Sequence, residues 1–553
     1  MIANASSSSA TSRPDRPDLP ATRLRVDLAA HGLLAPLPAA FLAGRDRDLL
    51  APLRFLPPGE APRGPALPGA RRELAEALAV SNRGYGHEDA DRLARKLADP
   101  ATRVVVTGQQ PGLFGGPLYA FAKMAAAARW AAALEAEGES AVAVFWVATE
   151  DHDWDEVSSA TFLTPEGPRR FDLGKDPEPL TPVGMRTLGP GVEEVLKQIA
   201  EAIPGELYAD WLGTLARWYR PDARFGEAFS RLMVCLLGKR APLLLDAMHP
   251  ALKAAQRPWL RRLVERRQAV EEAFAHQDAR IEGRGYNLQI APQRGTSPLF
   301  LLRHGERRRV EWKGEDGYTL RGRGGDAGES PVADLLQTID ENPGVVSPGA
   351  LARPVLQDAV LGSFLQVLGP AEVAYLAQVA PLYNLLEVEA PWISLRPQTL
   401  VLEAKQAERL ADVGLKLPDL LGDPHRLEAL LAERAGGDFV GPVRQRIAEA
   451  LDELRDGALA ADPNLERPYD KTREQVLRAL DLFGEKATAS AARRDEVAAR
   501  RIDQLREACV PLGKLQERTV SAAHFQGKYG DRLAESYWEQ MDLDPRFLQV
   551  VSP

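Results

Sequence analysis

Cysteine is almost absent: the 553 residues contain two, Cys235 and Cys509. Two thiols in separate apolar helical stretches exclude a disulfide framework and a cysteine-rich zinc site, and they fit a cytoplasmic protein. An excess of positive charge is missing too. Lysine and arginine number 69 against 78 acids, a net charge of −9 with a pI near 5.6. No basic field is there to attract a phosphate backbone, so nucleic acid is not an expected partner. No run of about 18 uncharged apolar residues occurs, so no membrane span is expected. The opening MIANASSSSATSRPDRPDLP lacks the hydrophobic stretch of a signal peptide, and residues 1–24 read as a disordered tail. No internal repeat is evident.

What is present is ordinary in bulk and unusual in one place. Hydrophobic residues make up 45% and charged residues 27%, values that allow a sizeable core in a soluble chain. Helical apolar spacing covers 71–80 and 88–98, and Leu243–Leu245 reads as a short buried strand ended by Asp246. Residues 284–325 alternate apolar and polar positions between glycines, as an antiparallel meander does. From about 400 to 510 the chain is nearly all helical. Val443, Ile447, Ala450 and Leu454 repeat at heptad spacing, as do Ala498, Ile502, Leu505, Cys509 and Leu512, with DPNLERP between the two runs. This predicts an antiparallel helical hairpin, a coiled-coil arm, with a small bundle as the alternative. The expected segments are therefore a core over 25–283 and 346–400, a β-rich insert at 284–345, the arm over 401–510 and a return to the core over 511–553.

The unusual place is 102–157. An apolar strand, Val104–Val106, leads into a loop with Gly108, Gly112, Gly115 and Gly116, and Pro117 opens an alanine-rich helix. A second apolar strand, Val142–Ala148, ends in Glu150, Asp151, His152, Asp153, Asp155 and Glu156. Strand, glycine loop, helix and strand make a βαβ unit, hence an α/β fold with a parallel sheet. Ligands bind at the carboxyl ends of such strands, where both loops lie. The glycine loop offers free N–H groups and a helix dipole to a phosphate, or is simply a tight turn. It is not a P-loop, because no Gly-Lys-Ser/Thr follows and Lys123 stands two turns into the helix. The acids after the second strand suit Mg²⁺ binding or charge stabilisation, or form a solvated loop with a helix cap. Flanking carboxylates are expected to make His152 hold its proton more readily.

Other polar segments carry weaker signals. GRGGDAG at 322–328 lacks a buried strand before it and reads as a hairpin loop, and Arg303, Arg307, Arg308 and Arg309 read as a solvated hairpin face. Lys514, Gln516, Glu517 and Arg518 either close on a nucleotide or pair with one another. Neither cysteine has a visible activator, so neither is a nucleophile.

VVTGQQPGLFGGPLYAFAK followed by VFWVATEDHDWDEV resembles the BshC family, the cysteine-adding enzymes of bacillithiol biosynthesis. LLLDAMHP, GYNLQI, SPGALARPVLQD, GPAEVAYLAQ and GKLQERT extend the likeness along nearly the whole chain from about residue 25. The resemblance implies a Rossmann-like core similar to nucleotidylyl transferases, inserted connecting segments, a C-terminal coiled-coil arm and a homodimer. It also implies a carbon–nitrogen ligase joining L-cysteine to glucosaminyl-malate. Amide formation from a free carboxylate needs activation, so ATP or ADP, with Mg²⁺, is the expected nucleotide. In that frame His152, Asp151 and Asp153 are catalytic, the aspartates holding Mg²⁺ or the amine. Thr107, Gly108, Gln109, Gln110, Gly115 and Gly116 hold the nucleotide, while Glu150, Arg353, Asp358 and Glu372 bind substrate, Arg353 pairing with a malate carboxylate. No metal site built from protein side chains alone is expected. The alternatives are a ligase or nucleotidylyl transferase for another amino acid, and a nucleotide-binding scaffold that uses the arm.

Overall fold

The computed structural model describes residues 24–553, apart from 292–294, 323–324, 327, 424, 429, 431–439 and 493–495. The Ser-rich tail and part of GRGGDAG thus lie outside the described residues. The core is a parallel sheet of β1 (Arg54–Phe55), β2 (Arg103–Gln109), β3 (Ala141–Val147), β4 (Leu243–Asp246), β5 (Ser363–Leu368) and β6 (Trp392–Leu395). Among the described residues their order is β1-β6-β5-β2-β3-β4, with every neighbouring pair parallel. The strands are apolar runs rather than alternations because both faces are covered: all of β3 and β5 is buried.

Helix α1 (Leu118–Ala136) crosses from β2 to β3 and is apolar nearly all round. Such a helix must be covered on every side, and it is, by the sheet and by the C-terminal segment, whose Phe525, Leu533 and Tyr537 share its cluster. The chain then runs outward in opposite senses. From β2 it moves through α1 to β3 on one side, and from β5 it moves to β6 on the other. The carboxyl ends of β2 and β5 therefore part, which leaves a crevice between them.

The expected β-rich insert is an antiparallel sheet built on Thr296–Arg303, Glu306–Lys313 and Gly317–Gly322, with Val346–Pro348 along its edge. Phe547–Val551 pairs with Gln398–Val401 and with Arg25–Asp27, so the two ends of the described chain meet in one small sheet.

The arm differs from the heptad reading in its partners. Helix α2 (Gly441–Ala461) packs antiparallel on α3 (Glu466–Ala492), held by Arg444–Asp481, Arg473–Asp452 and Arg455–Glu466 ion pairs. The second run, on α4 (Glu496–Cys509), does not complete that hairpin: Ile502, Leu505 and Cys509 pack instead with Leu400, Leu417 and Leu420 at the arm's base. Heptad spacing says that a helix has one apolar stripe, not which surface meets it.

Candidate active site

A cleft of about 1210 Å³ opens at the carboxyl edge of the sheet. Gly108 to Gln110 at the end of β2, Ala148, Glu150 and Asp151 after β3, Gly369 to Glu372 after β5 and Arg396 after β6 all reach it. The parting of β2 and β5 thus decides where it lies. Gly108 is needed there, since a Cβ would stand 2.7 Å from Trp146 O and 2.8 Å from Trp146 Cβ on β3. Gly108→Ala is expected to cost about 1–3 kcal/mol, measurable as a lowered urea midpoint, because backbone cannot step aside.

Lys123 dominates the floor. Although two turns into α1, its buried ammonium reaches back to the strand end and donates to Gly108 O at 2.8 Å, Gln109 Oε1 at 2.9 Å and Glu372 Oε2 at 2.5 Å. Burial pushes its pKa down, and Glu372 opposes that shift. The Glu372 carboxylate also accepts from Gly369 N at 2.7 Å, which caps the helix Pro370–Val379. Arg353 donates to Tyr375 Oη at 2.7 Å and Gln357 Oε1 at 3.0 Å while lining the cleft.

The acidic loop is held by a neighbouring strap, with Val183 N donating to Asp151 O and Gly184 N to Thr149 O. Asp151 lines the cleft and accepts from Gln110 Nε2 at 2.7 Å. Glu150 also lines it, but is buried in an ion pair with Lys253. Asp153 is exposed and stays out of the cleft; it accepts from Glu156 N at 3.3 Å and caps the short helix Trp154–Val157. Among the described residues no three of His, Cys, Asp and Glu gather as a ligand set.

Arg307 corrects the reading of a solvated arginine face. It is buried, donating to Ser347 Oγ and Pro348 O at 3.0 Å each and lying 3.8 Å over the Phe300 ring. Its remaining nitrogen is 3.3 Å from His152 Nδ1 and 3.5 Å from Asp151 Oδ1. That contact reverses the expectation for His152. Burial and the Arg307 charge lower its pKa more than Asp151 and Asp153 raise it, so the imidazole is held neutral. Nothing in the sequence separates Arg307 from Arg308 and Arg309. The difference arises where Val346–Pro348 and the acidic loop close over it.

Several expected site residues lie elsewhere. Thr107 is buried and donates to Val367 O at 2.7 Å, stitching β2 to β5. Asp358 is buried away from the cleft, accepting from Tyr383 Oη at 2.6 Å and Gln366 Nε2 at 2.5 Å, and burial raises its carboxyl to about 6. Gly115 and Gly116 are buried and do not line the cleft. The start of α1 is sealed rather than open: Leu118 N donates to Val520 O at 2.8 Å, and Ser521 Oγ to Phe114 O at 2.6 Å. The returning C-terminal segment takes the place that a phosphate was expected to fill.

That segment supplies what local reading left open. Glu517 is fully buried and binds Arg396 through two N–H groups, at 2.5 and 2.9 Å, and Thr399 N at 2.9 Å. Gln516 pairs with the backbone of Val401. Lys514 and Arg518 line the cleft, and among the described residues neither has an ion-pair partner. Glu156 completes the set. Glu156 is exposed at the cleft wall; its Oε1 accepts from Gln109 Nε2 at 2.8 Å, and desolvation of the carboxyl by the surrounding protein, with Asp153 and Asp151 nearby, raises it to about 7.

Residues 62–397 match the family described as "Bacillithiol biosynthesis BshC, N-terminal Rossmann-like domain", and 399–548 match its C-terminal coiled-coil domain. The chain belongs to the BshC family. A relative from Solibacter usitatus is 31% identical over 86% of this chain and 88% of its own length, and one from Koribacter versatilis is 31% identical over 85% and 87%. One from Salinibacter ruber is 29% identical over 88% of this chain and 89% of its own. Each is named "Putative cysteine ligase BshC". The junction between the two BshC domains falls between β6 and Gln398–Val401, so the Arg396–Glu517 pair crosses it.

Proposed function

We propose that this chain is an amide-forming ligase that joins the carboxyl group of L-cysteine to the amine of glucosaminyl-malate in bacillithiol biosynthesis. One observation supports this reading above the others: among the described residues, a single cleft at the sheet's carboxyl edge holds unpaired cations, Lys514 and Arg518, together with an unpaired carboxylate, Glu156. The cations, with Arg353, suit the carboxylates of malate or the phosphates of a nucleotide. The carboxylate suits the ammonium of an acceptor. The names of the relatives agree with the reaction class. A nucleoside triphosphate, when bound, supplies the leaving group that a free carboxylate lacks. We also read the protein as cytoplasmic and as a homodimer, and sedimentation of the purified chain tests the homodimer.

The direct test incubates purified protein with L-cysteine, glucosaminyl-malate and ATP, and follows the condensed thiol by mass spectrometry. No product, with intact substrates, overturns the reading. Lys514→Ala and Arg518→Ala are each expected to raise KM for an anionic substrate by roughly 10–100-fold, the effect of one lost charged hydrogen bond. An unchanged KM in both would remove these residues from the site.

A further inference from the structure

Among the described residues four carboxylates line the cleft, and three are already compensated. Glu150 is paired with Lys253, Asp151 lies beside Arg307 and takes Gln110 Nε2, and Glu372 is paired with Lys123. Glu156 stands apart. Among the described residues no lysine, arginine or histidine pairs with it. Among the described residues its side-chain hydrogen bond comes from Gln109 Nε2, whose own amide oxygen accepts from Lys123 Nζ. The amide orientation is thereby set: the lysine can only donate, so Gln109 must present its NH₂ to Glu156. One carboxylate oxygen is fixed and the other is left for a ligand in the cleft.

We propose that Glu156 is the general base that takes the proton from the acceptor ammonium so that the amide bond can form. This rests on the ligase reading above. The amine nitrogen of glucosaminyl-malate attacks the carbonyl carbon of an activated cysteine, an acyl phosphate or acyl adenylate. The new C–N bond forms, the C–O bond to the phosphate breaks, and the phosphate leaves with the electron pair. Because the acceptor arrives as an ammonium, its first proton passes to the free oxygen of Glu156, and then to solvent through the open cleft, before the nitrogen attacks; the second N–H proton, made acidic by the new C–N bond, leaves with the departing phosphate.

The surroundings fit that task. Desolvation disfavours the charged carboxylate most, Asp153 and Asp151 follow and Glu372 adds to them, while Lys123 opposes. With its carboxyl at about 7, Glu156 is ionised often enough near neutral pH to accept a proton and basic enough to hold it. The capping contact from Asp153 goes to the Glu156 backbone N–H, so it leaves the carboxylate free.

The experiment compares the parent chain with Glu156→Gln, in which the fixed oxygen and its bond to Gln109 remain, using two nucleophiles. Glucosaminyl-malate arrives as an ammonium and needs a base. Hydroxylamine, unprotonated near neutral pH, does not, and it traps activated cysteine as the hydroxamate. Glu156→Gln is expected to lose about 10²–10⁴-fold in amide formation and to keep hydroxamate formation within a few-fold. The acid limb of the parent's pH profile, rising towards about 7, should disappear with the side chain. Glu156→Asp should recover part of the rate. Unimpaired amide formation by Glu156→Gln overturns the proposal, and so does an equal loss with both nucleophiles, which would mark a binding or folding role. If the parent chain makes neither product, the ligase reading has failed instead.

Discussion

Lys123→Met will unfold about 3–5 kcal/mol more readily than the parent chain, because removing one partner strands the other charge. Lys123 is 3% exposed, and its loss leaves Glu372 without its ion-pair partner and Gly108 O and Gln109 Oε1 without that donor. Activity should fall with stability, since the same ammonium orients Gln109 and, through it, Glu156. The double variant Lys123→Met/Glu372→Gln separates the two effects. It removes the stranded charge while the new side-chain amide oxygen still accepts from Gly369 N, so at least half the lost stability should return in urea unfolding. Activity should not return. A single variant as stable as the parent would mean that the ammonium does not hold the cleft floor.

Glu517→Ala is the second large effect. Glu517 and Arg396 are both buried, and the carboxylate also takes Thr399 N. Truncation leaves a buried guanidinium and a backbone N–H unpaired, an expected loss of about 3–5 kcal/mol. The pair ties the end of β6 to the segment that carries Lys514 and Arg518, so KM for the anionic substrate should rise alongside. Arg396→Met/Glu517→Met, which removes both charges, should recover stability measured by thermal denaturation. Failure of the double variant to recover would show that the geometry of the pair, rather than its charge balance, joins the two BshC domains.

The fold was legible where the signal is local. Val104–Val106 and Val142–Val147 are apolar runs too short for helices, and the alanine-rich stretch between them is long enough to cross back. A right-handed βαβ crossover then places both strand ends on one edge. Gly108, Gln109, Gln110, Glu150 and Asp151 line one cleft at that edge. Helical spacing likewise located the arm, but not the surface that α4 covers.

What neighbouring residues do not show has one physical origin. Arg307 is indistinguishable in sequence from Arg308 and Arg309, which are only partly buried, and Lys123 lacks the spacing of any phosphate-binding lysine. Gly115 and Gly116 look open until the C-terminal segment closes over them. In sequence the acids beside His152 favour its charged form, whereas in the fold burial, and then a guanidinium from 155 residues away, lower its pKa. The sequence by itself determined the strands, the helices and the edge of the sheet where the cleft lies, because burial patterns and crossovers are set by neighbouring residues. Only the tertiary structure decided which charges are cancelled and which stay free for a substrate. Glu150 meets Lys253 across 103 residues and Arg396 meets Glu517 across 121, and a charge takes its meaning from the partner that folding brings to it.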